Sequence, residues 1–436
     1  MGVPTVATSG INIVSYALNY DFEYVNGMPI RYAAVPFPVT GVTKATHREY
    51  VYGEDQLTGR PFMQAIIAGL TEPLTDRELM SDTAETMKAK AEPRYLEDTE
   101  ANLRQYFKDQ EWTDYAPVIM PTEERVREML TGTSHKADEV LPAGRFMYGG
   151  REVTVEKAAA VAVMAGAKPK HFPLLLAIAT QAPFGNSTSS MANTVIVNGP
   201  IVKELDMNAG TNAMGPYNET NSIAGRFFTL ISKIAGDYKN NVTAWESLGS
   251  NLQYNSMTIA ENEDNLPEGW EPLHVQQGFK PEDSVVTIGV GWSYISSLGE
   301  YQPGYPAHEL IRDYMRSLSG LGSAATIFVD PTVAKLMKEV AGFETKRDLS
   351  AWLSDNVEKT VASYWGNGVI MTSNNAMALQ GLEPFSTWRN MPADSLIKPF
   401  NNPRAINIVV VGGSIQTTWF LSDFRLPRGV LVDDWR

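Results

Sequence analysis

The opening stretch constrains this chain more than any other. Val3 to Ala7 reads as a short β-run, Ile11 to Tyr24 carries apolar residues at helical spacing, and Arg31 to Val35 is a second β-run ending at Pro36-Phe37-Pro38. Strand, helix and strand in that order predict a parallel pair, because parallel neighbours need a crossover whereas antiparallel ones can be joined by a hairpin. One helix over two parallel strands buries too little apolar surface to stand alone, and parallel sheets need both faces covered. The expected fold class is therefore α/β: an incomplete parallel βαβ unit, completed by a partner chain or by later strands, followed by mixed α/β domains.

Four segments follow from the pattern along the 436 residues. Residues 1–45 hold the partial Rossmann-like βαβ unit. Residues 46–115 form a charged, helical linker region that includes the amphipathic stretch Pro61 to Leu70. Residues 116–300 read as an α/β domain. In it Pro121-Thr122-Glu123-Glu124 opens a helix with acidic residues in its first turn, Thr154 caps the next, and Gly166 ends it. Asn221 or Thr220 is expected to cap a further helix that ends at Gly236, and Ser284 to Val290 is a strand. Residues 301–436 alternate helix and strand, with Ala325 to Val329 running into Asp330-Pro331 and Ala405 to Val411 into Gly412-Gly413-Ser414.

The net charge is −14, and no Lys/Arg cluster has the density of a phosphate-backbone footprint, which argues against nucleic acid. No uncharged apolar run reaches the roughly 18 residues that cross a bilayer, and no basic-then-apolar leader opens the chain. A cytoplasmic protein without membrane contact is expected. There is no cysteine, so this chain supplies no disulfide, thiolate ligand or thiol nucleophile. The five His residues are dispersed, with no pair at the i, i+4 spacing of a helical metal site.

Three stretches could carry chemistry. Between Asn186 and Asn221 stand seven Asn and only four charged residues, punctuated by Gly199, Gly210 and Gly215. Amides, hydroxyls and glycines at this density suit a site that holds a small polar substrate, and equally suit a run of Asx-turns. Asn198, Gly199, Asn208, Gly210, Thr211 and Asn212 are the candidate substrate-binding residues. The second stretch holds Glu261, Glu263 and Asp264, followed by Glu271 and His274. There a His near carboxylates could carry a proton, although a solvated acidic turn fits the same residues. The third, Val409 to Trp419, runs a strand into Gly-Gly-Ser but lacks both the G-x-G-x-x-G fingerprint and the P-loop Lys.

Several phrases resemble a known family. Gly2-Val3-Pro4-Thr5-Val6, Gly27-Met28-Pro29 and Val35-Pro36-Phe37-Pro38 are similar to the back half of the UGSC-motif (seleno)proteins, named for a Sec/Cys-Gly-Ser-Cys element. Ala162-Val163-Met164-Ala165-Gly166, Val197-Asn198-Gly199-Pro200-Ile201, Gly210-Thr211-Asn212-Ala213 and Trp270-Glu271-Pro272-Leu273-His274-Val275 resemble the second domain of its long members. The likeness covers most of residues 2–300 and is patchier beyond. The Cys-Gly-Ser-Cys element itself has no counterpart here, and Ala167 stands where members tend to carry Cys.

The resemblance implies a thiol or selenol theme, with the reactive group brought by a cysteine-bearing partner subunit. Together with the residues it sets the expectation: the large subunit of a heteromeric enzyme, an oxidoreductase or lyase acting on a small polar substrate. His274, with Glu271, would be the catalytic pair. A metal-dependent hydrolase or lyase using His274 with Glu261 and Glu263, and a non-catalytic assembly subunit, are the alternatives. No cofactor is assigned.

Overall fold

The computed structural model describes residues 5–14, 17, 30–39, 42–75, 95–142, 153–181, 191–236, 238, 246, 248–298 and 305–436. The fold is α/β, with parallel and antiparallel strands in its sheets. It divides into two compact units, Met1–Thr99 with Lys239–Ala244, and Glu100–Tyr238 with Trp245–Arg436.

In the first unit, β1 (Val6–Gly10) and β2 (Arg31–Val35) pair in parallel, Val6 opposite Arg31 and Gly10 opposite Val35. The expected parallel pair is present, its first strand shifted three residues along the chain. Residues 11–14 and 17 of the expected crossover are helical, and the rest of that helix lies outside the described residues. Later chain covers part of the pair. α1 (Lys44–Tyr52) starts at Thr43, whose side chain accepts from Thr46 N. α2 (Phe62–Thr71) packs Phe62, Ala65 and Ile66 against Ala33 and Val35. The outer edge of β2 is closed by a turn. Buried Asp55 accepts from Ala34 N at 2.6 Å, and Gln56 N donates to Ala34 O at 2.9 Å. Among the described residues no third strand joins this sheet.

The second unit begins with α3 (Glu100–Asp109), α4 (Glu123–Leu130), α5 (Val155–Ala165) and α6 (Phe172–Gln181). Thr122 accepts from Arg125 N and Thr154 from Lys157 N, and α5 stops at Gly166 with a left-handed φ of 88°. α5 and α6 are apolar on nearly every side and accordingly lie in the core. β3 (Ala192–Asn198) follows, then α7 (Glu219–Gly236). α7 starts before the expected caps because Thr220 and Asn221 are used otherwise. Thr220 Oγ1 donates to Leu205 O at 2.6 Å, and Asn221 bonds to the main chain of Asn208.

β4 (Thr258–Ala260), the short helix α8 (Leu273–Gln276), β5 (Val285–Gly291) and β6 (Tyr294–Leu298) come next. Then follow α9 (Ala307–Met315), β7 (Ala325–Val329), α10 (Pro331–Glu339) and α11 (Lys346–Asn356). β8 (Lys359–Thr360) and β9 (Leu396–Ile397) frame α12 (Val361–Trp365), α13 (Gly368–Leu379) and α14 (Phe385–Asn390), which pack around Tyr364 and Trp388. β10 (Ile406–Val410), β11 (Thr418–Ser422) and β12 (Val430–Leu431) are the last strands.

Two four-stranded sheets result, in the orders β12-β5-β3-β4 and β10-β7-β11-β6. β10 and β7 run parallel, while β11 is antiparallel to both its neighbours. Position 300 is crossed in both directions: β6 joins the sheet of the later strands and β12 that of the earlier ones. The segments 116–300 and 301–436 are thereby interlocked. Ile196 and Ile259 from one sheet meet Phe328 and Val409 from the other in a common apolar cluster. Among the described residues no helix is long and apolar enough to cross a membrane.

Candidate functional site: a cleft at the ends of two parallel strands

The Asn-rich segment turns its amides onto its own backbone. Asn208 Oδ1 accepts from Gly210 N at 2.9 Å, and its Nδ2 donates to Thr211 O at 2.9 Å and Asn218 Oδ1 at 2.7 Å. Asn218 donates in turn to Asn212 O at 2.8 Å and Gly215 O at 3.0 Å, and Asn212 Nδ2 to Pro216 O at 2.7 Å. Asn212 sits at φ 63°, a left-handed conformation that Asn tolerates better than most side chains. Asn208 and Asn212 therefore shape a set of Asx-type turns, with their amides committed to the loop. Asn186 lies outside the described residues.

Asn198 and Gly199 belong to another group, buried between the two sheets. Asn198 Nδ2 donates to Glu261 Oε2 at 2.7 Å and Glu263 Oε1 at 2.9 Å, and Gly199 N donates to Glu263 Oε1 at 2.8 Å. Glu261 also accepts from Leu273 N at 2.7 Å and Val410 N at 3.3 Å, and its Oε1 lies 2.5 Å from Lys346 Nζ. Glu261 and Lys346 are each only 1% exposed. Each charge is tolerated there because the other neutralises it.

His274 is fully buried, with its Nδ1 3.6 Å from Glu263 Oε1. Among the described residues, both of its ring nitrogens and Asn198 Oδ1 are without a hydrogen-bond partner. Glu263 is thus the carboxylate beside His274, while Glu271 is exposed, its carbonyl accepting from Gln276 Nε2 at 3.1 Å. The fold brings together Asn198, Gly199 and His274 from the sequence reading and separates them from Glu271 and from the Asn208–Asn212 turn. Glu261 is committed to four donors, and among the described residues no group of three or more His, Cys, Asp or Glu is placed to hold a metal ion.

An open concavity lies elsewhere, beyond the carboxyl ends of β7 and β10, where ligands of open α/β sheets commonly bind. Two adjoining hollows of about 510 and 310 Å³ share Met214, Val411 and Thr418 in their linings. Phe328, Trp419 and Phe420 give the larger one an apolar wall, and Ser296, Ser297 and Asp330 a polar one. Thr211, Asn212, Gly412 and Gly413 line the smaller. The two loops that form it are pressed together. Gly412 N donates to Ala209 O at 2.8 Å, and a Cβ at Gly413 would collide with Thr211 Oγ1. Gly412 itself has φ 97°, which favours glycine.

Asp330 caps α10, accepting from Val333 N at 2.8 Å, and its other oxygen accepts from Thr418 N and from Thr418 Oγ1. Burial pushes its carboxyl above the ordinary value, and the hydrogen bonds from Val333 and Thr418 oppose that shift. Among the described residues, the lining includes no Lys, Arg or His.

The buried group and the cleft meet at one dipeptide. Glu261 ends in the ion pair, while Asn262 N donates to Val410 O at 2.7 Å and its Nδ2 to Gly412 O at 2.9 Å. Val411, Gly412, Gly413 and Thr418 belong to the third stretch of the sequence reading, Val409 to Trp419, whereas Asp330 and Met214 were not singled out there. The available signal was two β-runs ending in Asp330-Pro331 and Gly412-Gly413, since parallel strands would place those ends side by side. No family model, no curated protein and no solved structure matches this chain.

Proposed function

We propose that this chain is the substrate-holding subunit of an enzyme that acts on a small polar molecule bound in the cleft beside Asp330. One observation carries the reading: a concavity sits outside the carboxyl ends of a parallel strand pair, with a carboxyl group of raised pKa on its wall. Among the described residues the lining holds one acid, several hydroxyls and an aromatic wall, and no cation. That set favours an uncharged or cationic molecule with hydroxyl or amino groups over a phosphate or polycarboxylate. Asp330 would accept a hydrogen bond from the substrate, Ser296 and Thr211 would orient it, and Phe420 would cover its apolar part. Bond cleavage or redox assisted by a thiol or selenol would draw that group from outside these 436 residues, which include no cysteine, and a partner subunit is the source proposed. The resemblance to UGSC-motif proteins supports that division of labour.

The test is binding of a panel of small neutral, cationic and anionic metabolites, read by saturation-transfer NMR. Met214, 42% exposed, lines both hollows and can be filled without touching the core. The expected result is a neutral or cationic ligand whose signal is lost in Met214→Trp and weakened about tenfold in Asp330→Asn, equivalent to roughly 1.4 kcal/mol. A ligand that binds equally to wild type and Met214→Trp would refute the location. Selective binding of anions would refute the chemistry.

A further inference from the structure

Among its described residues the first unit presents two features without a partner. One is the outer edge of β1. In a parallel ladder, alternate main-chain groups point away from the neighbouring strand. On β2 such groups of Ala34 are taken by Asp55 and Gln56, whereas β1 pairs with β2 alone among the described strands. Its side chains are small, Val6-Ala7-Thr8-Ser9-Gly10, so nothing bulky shields the edge.

The other feature is an apolar stripe on α2. Met63 is 47% exposed, Ile67 54%, Leu70 39% and, just beyond the helix, Leu74 51%. Their spacing of four, three and four residues is that of a helix-packing seam. At ~100° per residue the stripe lies on the flank of α2, about a third of a turn from Phe62, Ala65, Ile66 and Gly69, which face the strands. No charged residue interrupts residues 61–71, and the charges at either end, Arg60 and Glu72, pair with each other at 2.9 Å.

From these two features we propose that the first unit binds a second copy of this chain. In this arrangement β1 pairs antiparallel with its copy about a twofold axis near Thr8, and the flanks of the two α2 helices meet on one face of the resulting four-stranded sheet. The spacing fits. A Cβ at Gly69 would lie 2.6 Å from Val6 Cγ2 and 3.7 Å from Arg31 Cβ, which places α2 over the pair. With strands about 4.8 Å apart, helices centred over adjacent pairs are about 9.6 Å apart, within the usual 8–10 Å of packed helices.

An uncharged stripe is self-complementary: two antiparallel copies set Met63 against Leu70 and Ile67 against Ile67. For a chain of net charge −14, an uncharged contact adds no like-charge repulsion between copies. The four side chains would bury only roughly 200–300 Å² per copy, against about 800 Å² per partner in a stable complex. The strand edge must contribute, and the dimer should be weak, with a Kd on the order of 1–100 μM.

The test uses the full chain. Sedimentation velocity from about 1 to 200 μM should show a monomer–dimer equilibrium in that range. Ile67→Glu and Leu70→Lys should each weaken it more than tenfold while leaving the thermal melt unchanged, since both side chains are exposed. Because the chain has no cysteine, Thr8→Cys is a clean reporter. Mild oxidation should cross-link it into dimers at least tenfold faster than Tyr217→Cys, a 95% exposed control position.

Three results would overturn the proposal: a wild-type monomer throughout, a dimer indifferent to both α2 substitutions, or cross-linking of Thr8→Cys no faster than the control. Isolation of the chain from its host with a different polypeptide cross-linked at Thr8→Cys would replace the second copy with a heterologous strand donor. None of these readouts depends on the cleft, so failure here leaves the substrate reading intact, and the converse holds.

Discussion

Lys346→Met isolates the buried ion pair that joins the start of α11 to Glu261, the residue after β4. Wild-type Lys346 Nζ lies 2.5 Å from Glu261 Oε1, and both residues are 1% exposed, so the substitution leaves a buried carboxylate without its counter-charge. Breaking a buried pair from one side typically costs 3–5 kcal/mol. Glu261 keeps three neutral donors, Asn198 Nδ2, Leu273 N and Val410 N, which compensate in part and place the expectation near the lower end, about 3 kcal/mol. Urea unfolding followed by tryptophan fluorescence reads this directly. With a slope of about 3 kcal/mol/M, the transition of the second unit should move down by about 1 M. Adding Glu261→Gln removes the orphaned charge while keeping an acceptor, so the double variant should recover at least half of the loss. A shift below about 0.3 M for Lys346→Met, or a double variant less stable than the single, would refute the account of the pair as a mutual neutralisation.

Four further substitutions have expected outcomes. Gly225→Ala, ordinarily favourable inside a helix by up to about 1 kcal/mol, should instead destabilise by about 2–3 kcal/mol in thermal melts, because the added Cβ would collide with Asn255 O and sit 2.6 Å from Thr258 Oγ1. Arg226→Lys should cost about 1–2 kcal/mol in the same assay, since Lys cannot reproduce the forked contacts of Arg226 with Asp114 at 2.9 and 3.0 Å and with Pro117 O.

Two His residues should bend the stability-versus-pH curve in opposite senses. His171, buried and accepting from Lys168 N, has its pKa pushed down to about 4 by desolvation, so its contribution is present above about pH 6.5 and lost as pH falls toward 4. His135, raised chiefly by its hydrogen bond to Asp434 O, contributes fully below about pH 6.5 and loses that contribution as pH rises through its elevated value. His171→Gln should flatten the acid limb of Tm against pH and His135→Gln the limb above neutrality. Unchanged limbs would contradict the assignments.

Local chemistry was readable where a residue acts on its own neighbours. Thr154 caps α5 and Gly166 ends it, and Asp330-Pro331 opens α10, because caps and left-handed stops involve atoms within four residues. The parallel pairing of β1 and β2 was legible for a related reason, since strand, helix and strand leave few alternatives. The Asn-rich stretch was ambiguous in sequence because an amide suits a ligand and a turn equally well. Only the coordinates show Asn208, Asn212 and Asn218 bonded within their own loop.

Where the chemistry gathers was decided by tertiary structure alone. Glu261 meets a lysine 85 positions away and a strand 149 positions away, and Asp330 faces a threonine 88 positions on. No periodicity encodes those meetings. They follow from the strand order β10-β7-β11 and from the packing of one sheet on the other. Sequence determined the elements and their ends through short-range hydrogen bonds and side-chain spacing. Long-range strand pairing then set which ends lie side by side, and so placed the cleft beside Asp330 and Gly412 and left His274 in the interior.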